Sequence, residues 1–229
     1  QQRQAADRLG AHEAVLGALK NGSSADFSAD TRLIVALDGI RNAAQRGALV
    51  TRRLLGLARS DARTREVLDA GDCVREVLPL LLPLLGPGIA VTEAIGAGQF
   101  PVHVARGELE LALLNLASNA RDAMPAGGSL TLSLTACPDV DGRPGVAIAI
   151  TDTGSGMTPE VQARAFELFY TTKPRGLGTG IGLAVVQRLA LECGGRVELE
   201  SRIGAGTTIR LLLPLTRPAA SAAMPCRPG

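Results

Sequence analysis

Between Gly107 and Pro214 the spacing of apolar residues changes period several times, and the order of those changes restricts the folds open to the chain. "GELELALLNLASNARDAM" (107–124) repeats on a helical period and reads as an amphipathic helix. "SLTLSLTA" (129–136) alternates with period two, so Leu130, Leu132 and Leu134 face one way. "GVAIAI" (145–150) is a short aliphatic run of the buried-strand type, and "IGLAVVQRLALECGG" (181–195) is a helix closed by Gly194. "RVELES" and "TTIRLLLP" finish as strands, and "GIAVTEAI" (88–95) supplies another upstream. Helices and strands mix without regular βαβ alternation, which predicts an α+β two-layer sandwich. Hydrophobic residues make up 46% of the chain but aromatic ones only 2%, with no Trp, so the core must be built from Leu, Val, Ile and Ala.

Upstream the texture differs. Residues 1–60 read as two helices: Leu9, His12, Leu16 and Leu19 on the first, then Leu33, Leu37, Ile40, Ala44, Val50, Leu54 and Leu57 on the second. Two antiparallel helices cannot bury both stripes alone, which predicts a homodimer through a four-helix bundle. A polar linker is expected over residues 61–71. "DCVREVLPLLLPLLG" then looks helical, with a kink or early end at Pro79 or Pro83. The tail, residues 217–229, has no packing pattern and is expected to be disordered.

Charge excludes some functions. The 24 basic and 22 acidic residues nearly cancel, so there is no footprint for nucleic acid. No apolar run reaches the length of a membrane span, and the four cysteines have no metal-ligand spacing. A cytoplasmic protein with reduced thiols is the expectation.

Three features suggest chemistry. Asn115 and Asn119 lie four residues apart, on one face of a helix, and their amide oxygens suit Mg²⁺ shared with substrate phosphates. Asp152 follows the "GVAIAI" run after Thr151 and opens "DTGSGM", where an acid at the rim of a pocket is followed by Gly154 and Gly156. "GLGTGIGLAVV" places Gly176, Gly178, Gly180 and Gly182 ahead of a helix, an arrangement that lets amides and the helix N-terminus meet phosphate. "FELFYTTKP" precedes it, with Lys173 positioned to reach a nucleotide phosphate; a surface loop anchored by Phe166 and Phe169 is the other reading.

In order, "NLASNARDAM", "DTGSGM", "FELFYTTK", "GLGTGIGL" and "GAGTT" resemble the boxes of the histidine-kinase catalytic and ATP-binding domain. That domain belongs to the GHKL ATPases, with gyrase, mismatch-repair ATPases and heat-shock chaperones. The resemblance runs from about Asp72 to Pro214 and is greatest to kinases of bacterial two-component systems. It implies a two-layer sandwich of the GHKL (Bergerat) type over residues 72–216 and ATP with Mg²⁺ as ligands. Asp152 would accept from the adenine amino group, with Gly154 and Gly156 passing close to the base and Thr207 supporting the pocket. Asn119 would hold the metal beside Asn115, and Lys173 with Gly178, Gly180 and Gly182 would take the phosphates. Leu168 stands where close relatives often have proline.

The same resemblance implies an autophosphorylating histidine kinase that passes its phosphoryl group to an aspartate of a response-regulator receiver domain. "AHEA" offers His12 as phosphoacceptor and Glu13 as its general base. A second alignment of this helix puts Ala6-Asp7 in the histidine-acid slot, with His12 on the apolar seam. The alternative is then a degenerate kinase-like protein that dimerises and binds a regulator or nucleotide without phosphorylating itself. His103 is expected in a strand, in a packing role.

Overall fold

The computed structural model describes residues 65–174 and 178–216. The helical hairpin with His12 and Glu13, residues 61–64 of the expected linker, Gly176 and the C-terminal tail lie outside the described residues.

The described chain opens with β1 (Glu66–Asp69), α1 (Ala70–Leu85), β2 (Ile89–Ile95) and β3 (Pro101–Val104). Next come α2 (Arg106–Ala123), β4 (Gly128–Val140), β5 (Arg143–Asp152) and the short α3 (Pro159–Arg164). It closes with α4 (Gly182–Glu192), β6 (Arg196–Arg202) and β7 (Gly206–Pro214). β1 pairs antiparallel with β3. The other five strands form one mixed sheet in the order β2-β4-β5-β7-β6, parallel between β2 and β4 and antiparallel elsewhere. A strand thus occupies part of the stretch expected as linker, and the packed domain starts earlier than residue 72. Asp69 fastens that start: its carboxylate accepts from the amides of Gly71 (2.8 Å) and Asp72 (3.2 Å), capping α1, and from that of Phe100 (2.6 Å).

The core lies between the sheet and α1, α2 and α4. Leu130, Leu132 and Leu134 of β4 are fully buried, and across the ladder they face Asp152, Ile150 and Ile148 of β5. The intervening Thr131, Ser133, Ala147 and Thr151 point to the other face. β7 continues the apolar face with Leu213, Leu211 and Ile209 opposite Val146, Ile148 and Ile150.

Two helices differ from expectation. α2 is not simply amphipathic: from Leu109 to Ala120 only Glu110 and Asn119 escape burial, because α1 and α4 flank it while it crosses the sheet. α1 neither ends nor breaks at its prolines. Pro79 and Pro83 sit four apart on the exposed side, where the carbonyls that lose their amide partners meet water.

Candidate nucleotide site

Period-two counting along β5 puts Val146, Ile148, Ile150 and Asp152 on the same face, so the acid occupies the next core position after three aliphatic ones. Asp152 is 6% exposed and lies between Leu130 and Thr207 in the ladder. Burial pushes its carboxyl above the ordinary carboxylate range, and hydrogen bonds from the backbone amides of Gly154 (2.8 Å to Oδ1) and Thr207 offset only part of that. An acid in such a position is costly to the fold, which makes it the candidate around which a functional site is sought.

The loop after Asp152 is tied down on two sides. The amide of Ser155 donates to the carbonyl of Ala123 at the end of α2 (3.0 Å), and that of Thr153 to Ser129 (3.2 Å). On the other side the amide of Met157 donates to Oγ of Ser201 (2.8 Å), and Gln162 Nε2 bridges the carbonyls of Met157 and Ser201 at 3.1 and 3.0 Å. Gly156 has φ +69°, and a Cβ there would stand 2.0 Å from the carbonyl oxygen of Arg202. Gly156 thus lets the loop approach the β6–β7 corner closely, and a Cβ on Gly154 would likewise meet Ala123. Thr207 is buried and shares a 2.8 Å hydroxyl contact with Ser201. Gln162 lies in no stretch quoted above, and Ser201 enters there only as the end of the strand "RVELES".

One helical turn before Ala123 on α2 stands Asn119, so the loop anchor and this amide share a face. Asn115 does not join it at the surface: it is wholly buried, whereas Asn119 is half-buried. Lys173 comes to Asn119 from the segment after α3, its Nζ donating to Asn119 Oδ1 (3.3 Å) and to Asp122 Oδ2 (2.5 Å). The other oxygen of Asp122 accepts from Arg121 Nη2 (2.6 Å) and Nε (3.0 Å). Burial works against ionisation of Asp122, but the bonds from Lys173 and Arg121 outweigh it and hold its carboxyl below the usual range.

The glycine segment lies against the lysine segment. The amide of Phe169 donates to the carbonyl of Gly180 (2.9 Å). Gly180 has φ +63°, and a Cβ on it would stand 2.3 Å from the Phe169 backbone. Gly178 lies against Thr171 and Lys173 in the same way. Gly182 is the first residue of α4, whose N-terminus receives no side-chain cap and so keeps amides available for an anion. Phe169 anchors nothing: it is 71% exposed at φ +67°, while Tyr170 beside it stacks under Arg164 at 4.2 Å. His103 is in β3 as expected, but exposed rather than packed.

Asn119 Oδ1 and Asp122 Oδ2 converge on a cation, and the ammonium of Lys173 is a stand-in showing that this point accepts positive charge. The amide oxygen of Asn119 is a hard ligand of the type that Mg²⁺ takes together with phosphates, with the Asp122 carboxylate beside it adding negative charge. No group of three or more His, Cys, Asp or Glu forms a metal cage among the described residues. The donor set fits a metal brought in with its substrate.

A mixed sheet backed by helices, an acid buried at the end of a central strand, and an asparagine helix beside a glycine segment define the architecture of a nucleotide-binding ATPase domain. Residues 105–217 match the family described as histidine kinase-, DNA gyrase B- and HSP90-like ATPases, and that stretch is a domain of this family. The chain is 36% identical over 76% of its length to the sensor kinase CckA of Brucella abortus, covering 20% of that protein. It is 34% identical over 72% of its length to the histidine protein kinase DivJ of Caulobacter vibrioides, covering 27% of it. The chain therefore spans about a fifth to a quarter of these relatives. Among solved structures, full-length ShkA in complex with AMPPNP is similar over 83% of this chain and 40% of ShkA, at 29% identity and a TM-score of 0.63. The mycobacterial sensor histidine kinase MprB is similar over 66% of this chain and 98% of that one, at 27% identity and a TM-score of 0.55. The described residues thus form a histidine-kinase ATPase domain, homologous to those of two-component sensor kinases. No described helix is long and apolar enough to cross a membrane.

Proposed function

We propose that this chain binds ATP and transfers its γ-phosphoryl group to His12, as the core of a two-component sensor kinase. The observation that carries the reading is Asp152, an ionisable group on a core position at the end of the sheet, where adenine recognition is a reason to bear its desolvation. Asp152 accepts from the exocyclic amino group of adenine, a contact that guanine, with a carbonyl there, would not make. Thr207 holds the carboxylate from β7, and the loop through Gly154 and Gly156 forms the pocket wall. The phosphates lie toward the uncapped N-terminus of α4, with Gly178, Gly180 and Gly182 presenting backbone and Lys173 supplying charge. Asn119 would hold Mg²⁺, which would supply charge neutralisation to the phosphates; Asn115, buried behind it, packs the helix.

In the reaction a ring nitrogen of His12 attacks the γ-phosphorus, the bond to the bridging oxygen breaks, ADP leaves, and Glu13 takes the imidazole proton. The phosphoryl group then passes to an aspartate of a receiver domain. The 36% identity to a sensor kinase and the resemblance to an AMPPNP complex support this sequence of steps. The hairpin of residues 1–60 supplies His12 and pairs with that of a second copy. Incubation with radiolabelled ATP should leave acid-labile, alkali-stable phosphate on the chain, and His12→Gln should abolish it. Label that survives the substitution, or its absence from the wild type beside active receiver controls, would overturn the assignment.

A further inference from the structure

The contact between Lys173 and the end of α2 is more than a surface ion pair. Lys173 and Asp122 are 51 residues apart in sequence, and their side chains are 30% and 26% exposed. The same ammonium also takes the Oδ1 of Asn119, the oxygen assigned above to the metal. An ammonium and a divalent cation cannot share one amide oxygen without strong repulsion. Asp122 is built to release the lysine without being stranded. Its Oδ1 is held by Arg121 through two nitrogens, while Lys173 uses only Oδ2. When Lys173 leaves, the carboxylate keeps both guanidinium N–H bonds on Oδ1, so the usual cost of an uncompensated partly buried charge does not arise.

We propose that Asp122 is a positioning residue that parks Lys173 on Asn119 in the nucleotide-free protein, and that metal–nucleotide enters by cation exchange at that amide oxygen. This rests on the nucleotide reading above. With Mg²⁺ at the Asn119 oxygen, Lys173 would move to the incoming phosphates and Asp122 would remain with Arg121, so every charged group has a partner before and after. Parking also fixes the segment from Phe169 to Lys173, against which Gly178 and Gly180 lie, so the exchange frees the backbone that borders the phosphates.

The nucleotide-free full chain gives the first test. Phe169 is exposed and Tyr170 is the only tyrosine in a chain without tryptophan, so chymotryptic cleavage at these two positions and tyrosine emission both report on the segment. Asp122→Asn and Lys173→Met should each speed cleavage about threefold to tenfold, as for a partly shielded ion pair. The double variant should be no faster than the faster single one, and Asp122→Glu should restore slow cleavage. An unchanged rate in Asp122→Asn, or effects that multiply in the double variant, would overturn the latch. The second test titrates Mg²⁺ at fixed AMPPNP. Lys173→Met should lower the half-saturating Mg²⁺ severalfold, and Asp122→Asn should add little in that background. An unchanged midpoint in Lys173→Met would refute the exchange even if the latch holds. Failure of the wild type to bind AMPPNP would refute the nucleotide reading and the exchange together, while cleavage still decides the latch.

Discussion

Replacing Asp152 by Asn should weaken ATP binding and stabilise the empty protein, two effects with one cause. The carboxylate is 6% exposed on the apolar face of β5, and burial raises its pKa despite backbone donors from Gly154 and Thr207. A folded-state pKa above the unfolded value means that the folded chain holds this proton more tightly. The stability linked to the group is therefore full below the unfolded pKa and is lost as pH rises through the folded one. At neutral pH the wild type bears the cost of a desolvated charge. Asn removes the charge and keeps Oδ1 for the Gly154 amide, giving up at most the acceptance from Thr207, so Tm at neutral pH should rise. The same substitution turns an acceptor toward the adenine amino group into a donor. Losing a hydrogen bond to a charged partner costs about 1.5–3 kcal/mol, or roughly ten- to a hundredfold in affinity. Calorimetric titration with ATP measures the loss, and thermal unfolding at neutral and acidic pH measures the gain. The Tm difference should shrink on acidification, as the wild-type carboxyl takes its proton. Unchanged affinity, or a variant destabilised equally at both pH values, would refute the reasoning.

Asn119→Ala should abolish phosphoryl transfer while shifting Tm by less than a few degrees, since the half-buried amide takes a bond from a lysine that keeps Asp122; autophosphorylation and thermal unfolding together check this. Gly156→Ala should lower both stability and affinity, because the new Cβ meets the Arg202 carbonyl at 2.0 Å from a φ of +69°. Its cost is about 1–3 kcal/mol by the strain of such a conformation, read as a drop in Tm and in ATP affinity.

The sheet was legible because alternation is local: "SLTLSLTA" assigns Leu130, Leu132 and Leu134 to one face without reference to any other part of the chain. Asp152 was legible for the same reason, as the step after "GVAIAI". α2 was legible as a helix but not in its burial, since Ser118 and Asn115 look like a polar face until α1 and α4 cover it. The prolines of α1 suggested a break because sequence shows that an amide is missing, not which side of the helix meets water. β1 read as linker because four residues with two acids carry little pattern; their partner, β3, lies more than thirty residues on. Asp122 escaped notice altogether. Its partner Lys173 belongs to another motif 51 residues away, and no periodicity connects a helix end with a loop.

That difference in legibility follows a division of labour within the site. The end proposed for adenine is built on the β5–β7 register, where Asp152 faces Thr207 and Gly206 brings its backbone against the Asp152 carbonyl, a Cβ there standing 1.9 Å from the oxygen. A substitution at that end alters recognition and folding together, because the same ladder carries both. The end proposed for the phosphates is assembled from groups that meet across sequence: Lys173 on Asn119 and Asp122, and Gly180 against Phe169. These groups are partly exposed and exchange partners without disturbing the sheet. Changes there should therefore move metal dependence and rates while leaving the unfolding transition nearly in place. One domain can then hold its nucleotide's base rigidly and still alter the contacts around the phosphates at each turnover.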